Sequence, residues 1–263
     1  MRDQGLDQAI RAAGSVTELA RRIGISQPSV SNWDRIPAER VLSVEAATGV
    51  ARSVLRPDLF GDEKLAPDEV DLARAQEYAL LATLLARPPD AELLGRLERL
   101  RADPSPLGLA HAALGEAAAR LDQERVGREY FDLFIGLGRG ELLPYASYYL
   151  TGFLYERPLV RLRADLQRLG IVRTEGQTEP EDSAAVLCDI MAALASGAVE
   201  APPESDREIF EKHIAPWMGR LFADMAASDR ADFYARVGAL GGTFLEIEAE
   251  AFRLPRWHGQ RDQ

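Results

Sequence analysis

From Val70 onward the apolar residues of this chain recur at the spacing of one helix face, and that period constrains the fold more than any other feature. Val70, Ala73, Leu80, Leu81, Leu84 and Leu85 mark a first helix, and Pro88-Pro89-Asp90 stops it and starts the next. The same period runs through AELLGRLERL, GLAHAALGEAAARL, RVGREYFDLFIGL, ERPLVRLRADLQRLG, SAAVLCDIMAALA, IFEKHIAPWMGRLFADMA and ADFYARVGALGGTFLEIEAEAF. Alternating β-branched residues and Asn-Gly or Asp-Gly hairpin turns are missing, so an all-α fold is expected. A hydrophobic share of 46% over 263 residues is ample for a packed core. No run of about eighteen apolar residues exists to cross a bilayer, so no membrane insertion is expected. MRDQGLDQAI lacks the basic-then-apolar layout of an export signal, which places the chain in the cytoplasm.

PDLFGDEKLAPDE, residues 57–69, interrupts the period with two prolines, a glycine and a charge cluster. It divides the chain into a small domain over 1–60, a linker over 61–69, a larger helical domain over 70–255 and a tail over 256–263. Residues 1–60 hold eight Arg against seven Asp or Glu, net +1, so the other 203 residues carry 31 − 8 = 23 basic against 42 − 7 = 35 acidic groups, net −12. The long part should repel nucleic acid and tolerate basic partners.

In the short part, SVTELARRIGISQPSVSNWDRIPAERVLSVEAATG has a helix-turn-helix layout. Ala20 is small where two helices cross, Gly24 supplies a left-handed turn, and Val30 and Trp33 fall one turn apart to close a core. The second helix is expected over about Gln27 to Trp33, presenting Gln27, Ser29, Ser31 and Asn32 outward to base edges or phosphates. Arg21, Arg22, Arg35 and Arg40 supply a modest phosphate-neutralising charge, and Asp34 opposes it. With IPAERVLSVEAATGVARSVLRPDLF, the segment resembles the Cro/YdaS-type DNA-binding domains of bacterial repressors over roughly residues 6–60. That resemblance implies DNA as a partner through residues 16–40. One such module reads only a few base pairs, so useful affinity needs a homodimer on a symmetric site.

Catalytic machinery has no visible basis in the sequence. GLGRGE, residues 136–141, follows no strand and lacks Gly-Lys-Ser/Thr, and Ser147 has no G-x-S-x-G elbow. His111, His213 and His258 form no ligand-spaced pair, which leaves them as surface or capping residues and gives no metal site. Cys188, within AAVLCDIMAAL, reads as a small buried apolar residue. No cofactor is called for.

Two stretches instead suit a binding surface. In LLPYASYYL, Tyr145, Tyr148 and Tyr149 offer rigid apolar faces tipped with hydroxyls, and Pro144 marks a loop leading into a helix from about Ala146. For Tyr149, core packing competes equally with a surface role. In QTEPEDSAAVL, Glu179, Glu181 and Asp182 crowd a helix start. Capping accounts for one acid well and three less well. Carboxylates beside an aromatic patch would suit a peptide with cationic residues followed by an apolar run.

These stretches resemble the TorD/DmsD-type redox-enzyme maturation chaperones, an all-helical family, over most of residues 70–252. EYALLATLLARPPDAELLGRL is similar to the family's first helices, REYFDLFIGLGRGELLPYASYYL to its central block and EPEDS to its acidic loop. FEKHIAPWMGRLFADM and DFYARVGALGGTFLEIE are similar to its closing helices. The resemblance implies binding of the twin-arginine signal peptide, and often the apoprotein, of molybdenum enzymes related to dimethyl sulfoxide reductase and formate dehydrogenase, delaying export until the cofactor is inserted. Its peptide-binding region falls on Pro144, Tyr145, Ser147, Tyr148, Glu179, Pro180 and Asp182, with Glu181 in the same acidic loop. The family's histidine after the aspartate is Ser183 here, a hydroxyl that caps a helix or donates one hydrogen bond but does not titrate near neutral pH. A transcription regulator whose helical domain senses a peptide or small ligand is the alternative reading of the same layout.

Overall fold

A computed structural model describes residues 3–50, 52–56, 69–100, 103–138, 140–171 and 179–254. The chain divides into two compact units, 1–66 and 67–263. The expected linker, except Glu69, and the tail from 256 lie outside the described residues, as does His258.

In the first unit, α1 (Gln4–Ala13), α2 (Val16–Arg22), α3 (Gln27–Ser31), α4 (Val41–Thr48) and α5 (Arg52–Leu55) enclose a small core. Ser15 caps α2 by accepting from Glu18 N, and Ser26 caps α3 by accepting from Ser29 N. Gly24, at φ +72°, makes the left-handed turn between them, a conformation a side chain would strain. Ala20 and Val30 are buried with Leu6, Leu19, Ile36, Val41, Val44 and Leu55, and Trp33 packs half-buried against them. Helix α3 is shorter than expected, because Asn32 already forms its C-cap.

Among its described residues the second unit builds its regular elements from helices. It comprises α6 (Glu69–Ala86), α7 (Ala91–Leu97), α8 (Pro106–Arg120), α9 (Gln123–Tyr130), α10 (Ala146–Thr151), α11 (Arg157–Arg168), α12 (Ala184–Ala195), α13 (Ser205–Ile209), α14 (Met218–Ala227) and α15 (Phe233–Arg253). The Pro88-Pro89 stop behaves as expected, with Asp90 capping α7 at Leu93 N. IFEKHIAPWMGRLFADMA is not one helix. Pro216 can donate no backbone N–H, and the chain passes through a π-helical turn at Phe210–Ile214 before α14 begins.

Helix α6 packs most extensively on α12, and α15 runs against α14 and α8. Tyr78, Leu81, Leu84, Leu187, Met191, Trp217, Phe222, Phe233, Tyr234 and Val237 fill the core, with Cys188 fully buried among them. Burial pushes the Cys188 thiol upward, as an inert apolar role requires. Gly238 sets the α14–α15 approach: a Cβ there would lie 2.6 Å from the Phe222 carbonyl oxygen.

Two buried acids fix the packing. Glu129, at the end of α9, accepts from the backbone N–H groups of Asp232, Phe233 and Tyr234 at 2.9–3.3 Å, capping α15 from across the bundle. Glu248 accepts from Arg74 Nε at 2.8 Å and from the Tyr78 hydroxyl at 2.9 Å, while Arg74 also reaches Asp206 and Asp71. These contacts tie α6, α13 and α15 into one register.

Candidate functional site

Between α9 and α10 the chain passes a second π-helical turn, Phe131–Ile135, and two left-handed glycines, Gly136 and Gly138. Tyr145 is extended, and α10 begins at Ala146 behind Pro144 as the sequence implies. The segment leading into α12 lies alongside it. Ala146 N donates to the Asp182 carbonyl at 2.9 Å and Ala184 N to the Pro144 carbonyl at 2.8 Å, an antiparallel bridge pairing Tyr145 with Ser183. Two segments almost forty residues apart in sequence are therefore one surface feature.

Side chains reinforce the bridge from within. The Asp182 carboxylate accepts from Ser147 N at 2.9 Å and from the Ser147 hydroxyl at 2.5 Å. Ser147 Oγ accepts in turn from Glu156 N at 3.3 Å, which draws the segment after α10 back onto its first turn. Ser147 is 0% exposed and Asp182 1%. Neither reaches solvent, so both work by holding the loops together.

None of the three acids caps α12. That task falls to Ser183, whose hydroxyl accepts from Val186 N at 3.2 Å. Glu181 is also buried and takes the Arg163 guanidinium of α11 on Oε2, at 3.0 Å from Nε and 2.7 Å from the second nitrogen. Glu179 is exposed and accepts from the Tyr145 hydroxyl at 2.7 Å. Half-burial of Tyr145, together with that hydrogen bond, pushes its phenol well above the ordinary range, so it stays a donor at neutral pH.

Pro144, Tyr145, Tyr148 and Pro180 are half-buried around this outer pair. Tyr148 meets Tyr149 edge to face at 6.1 Å between ring centroids. Tyr149 itself packs on Trp217 at 5.5 Å and donates to Asp224 at 2.9 Å, joining α10 to α14. Of its two readings, packing describes what it does.

An apolar run beside the bridge was not picked out from the sequence. After Gly152 closes α10 in the left-handed conformation, Phe153 and Tyr155 are each 70% exposed, with Leu150, Leu154 and Val160 also exposed. Tyr155 holds φ +59°, a strained conformation for a bulky residue, and the next residue is the Glu156 whose N–H meets Ser147. The signal in the sequence was GFLY, three large apolar residues directly behind a helix-ending glycine.

The two described histidines, His111 and His213, are each half of a carboxylate pair rather than surface or capping residues. His111 lies 2.9 Å from Glu77, and buried His213 lies 2.9 Å from Asp165. Among the described residues no three metal-binding side chains gather.

In the first unit, Gln27, Ser29 and Asn32 are exposed on α3 and Ser31 half-exposed. They are tied locally: Gln27 Nε2 donates to Ser31 Oγ at 2.8 Å, and Ser29 Oγ lies 2.7 Å from Ser26 Oγ. The arginines are tied as well. Glu18 accepts from Arg21 at 2.9 and 2.6 Å and from Arg22 at 3.0 Å, and these bonds hold its carboxyl down to about 2. Arg35 stands 3.9 Å from Asp3.

Comparison with known proteins divides the chain at the same place. The family described as nitrate reductase delta subunit matches residues 100–223, and the family described as bacterial toxin YdaS matches residues 6–64. Chaperone protein TorD of Vibrio cholerae serotype O1 is 27% identical over 196 residues, covering 66% of this chain and 89% of the relative. Chaperone protein TorD of Ferrimonas balearica is 27% identical over 205 residues, covering 71% and 94%. That of Vibrio vulnificus strain YJ016 is 29% identical over 156 residues, covering 54% and 72%.

Proposed function

Because the chain carries a TorD-family chaperone region behind an N-terminal YdaS-type domain, we propose that it is a cytoplasmic, non-catalytic chaperone for an exported molybdoenzyme. Its client is of the dimethyl sulfoxide reductase or formate dehydrogenase type. The chain holds the twin-arginine signal peptide, and the apoprotein behind it, while cofactor is inserted.

The observation that carries this reading is the Tyr145–Ser183 bridge. It sets tyrosine faces, prolines and an exposed carboxylate side by side, which matches a ligand that is cationic at one end and apolar after it. Tyr145, Tyr148, Pro144, Pro180 and Glu179 form the contact surface, and Ser147 and Asp182 hold it in shape. A leader burying about 400 Å² of apolar surface gains roughly 10 kcal/mol gross at about 25 cal/mol per Å². Ordering a disordered peptide and losing its free motion offset most of that, leaving binding on the order of micromolar. The exposed carboxylate of Glu179 selects the arginines and speeds encounter more than it adds affinity.

Isothermal titration calorimetry of the full chain with synthetic leader peptides from the host's molybdenum enzymes tests this. Saturable heat with a Kd on the order of micromolar is expected. Absence of heat with every such peptide rejects the reading.

The first unit serves as a DNA-binding head. The polar row along α3 and its C-cap, with Gln27, Ser29 and Asn32 exposed and Ser31 half-exposed, supports major-groove contact. With Arg21 and Arg22 held by Glu18, phosphate contacts are few and affinity depends on a dimer. Selection of bound sites from random DNA, repeated in rising salt, tests it; retention of no sequence above background rejects it.

A further inference from the structure

The three acids of the turn before α12 are all engaged, but with different partners. Asp182 takes the N–H and O–H of Ser147, neutral donors inside the fold. Glu179 takes a neutral phenol. At Glu181 the bonds come from a cation, the Arg163 guanidinium.

That pair is lopsided. The Glu181 side chain is 11% exposed and that of Arg163 50%. A carboxylate so far out of water is costly to leave without a cation or hydrogen-bond donors. The arginine has the opposite situation: its long stem projects from the middle of α11 and can swing its charged end into solvent at little cost. Two of its nitrogens converge on the single oxygen Oε2 instead of sharing themselves between both oxygens, the stronger arrangement. One turn earlier on the same helix face stands Val160, exposed and apolar.

We propose that Arg163 is a built-in stand-in for a guanidinium of the leader peptide, occupying Glu181 until a peptide arginine displaces it. This rests on the signal-peptide reading above and assigns one acid of the site as the exchange point. Glu181 then never faces the interior unpaired, and binding exchanges one arginine for another at that carboxylate. The exchange lowers affinity by a modest factor. It also favours arginine over lysine in the ligand, because the vacated position is shaped by a guanidinium.

The test uses the full chain and two synthetic peptides, a leader with paired arginines ahead of an apolar run and the same leader with both arginines replaced by glutamine. Arg163→Gln should bind the arginine peptide about fivefold more tightly than the wild type, since a competing ion pair whose arginine is half open to solvent is worth about that much. Its affinity for the glutamine peptide should not change. In Arg163→Gln/Glu181→Gln the gain should vanish. Unchanged or weaker binding by Arg163→Gln, with circular dichroism showing an intact fold, overturns the proposal while leaving the signal-peptide reading standing. If the wild type shows no saturable binding to the arginine peptide, the signal-peptide reading fails and this inference with it.

Discussion

The inner and outer halves of the same bridge are built on opposite principles. On the inside, Ser147 and Asp182 are closed to solvent, and each hydrogen bond of Ser147 to Asp182 has a fixed partner. On the outside, the Tyr145 hydroxyl donates to Glu179 at the surface. The inner pair has a large energetic stake in the fold and no access to a ligand, and the outer pair has the reverse. Burial thus separates Ser147 and Asp182, which hold the loops together, from Tyr145 and Glu179, which stand open to a partner.

Substitutions that strain this contrast should differ in kind as well as size. Asp182→Ala orphans the buried N–H and O–H of Ser147 and should cost about 3 kcal/mol, read as a lowered midpoint in urea with the slope unchanged. Loss of peptide binding in that variant should follow the fraction unfolded. A stable Asp182→Ala chain would break the distinction. Glu179→Gln should leave the urea midpoint within error and weaken the arginine peptide about tenfold, roughly 1.4 kcal/mol, measured by calorimetry. An equal loss with the glutamine peptide would show that Glu179 does not read charge.

Ser183→Ala removes the α12 cap at the bridge itself and should cost about 1 kcal/mol in the same urea assay, with peptide affinity unchanged. The smallest effect belongs to His111, far in sequence from both halves. Its hydrogen bond to Glu77 raises the imidazole above its ordinary 6.5, so the protonated form favours the fold. That stabilisation is present below 6.5 and fades as pH climbs through the raised folded value. Thermal melts should therefore show the wild type losing its small advantage over His111→Gln, about 0.5 kcal/mol, between mildly acidic and mildly alkaline buffer.

The helical class and most helix positions were legible because the apolar period at Leu81–Leu85 and its counterparts is itself the packing face, although Val70 and Ala73 at the start of the first helix are exposed. Pro144, Asp90 and Gly24 did locally what their backbone chemistry dictates. What lay beyond reach was pairing across distance. Glu129 capping α15 and Arg163 meeting Glu181 join residues on separate elements. No local pattern sets those distances. The acidic turn shows the limit well: capping accounted for one of its three carboxylates, yet the cap is Ser183, a hydroxyl that could serve as one, and the acids find partners on other segments. The break at Pro216 was readable from proline alone, yet the apolar period across it masked the interruption. Phe153 and Tyr155 were overlooked since a run of large apolar residues ordinarily marks core.

The most direct measurement is hydrogen–deuterium exchange of the full chain with and without a saturating arginine-led leader peptide. Slowed exchange confined to residues 144–156 and the turn at 179–184 is the predicted result. Protection elsewhere in the bundle, with those two segments unchanged, would contradict the account.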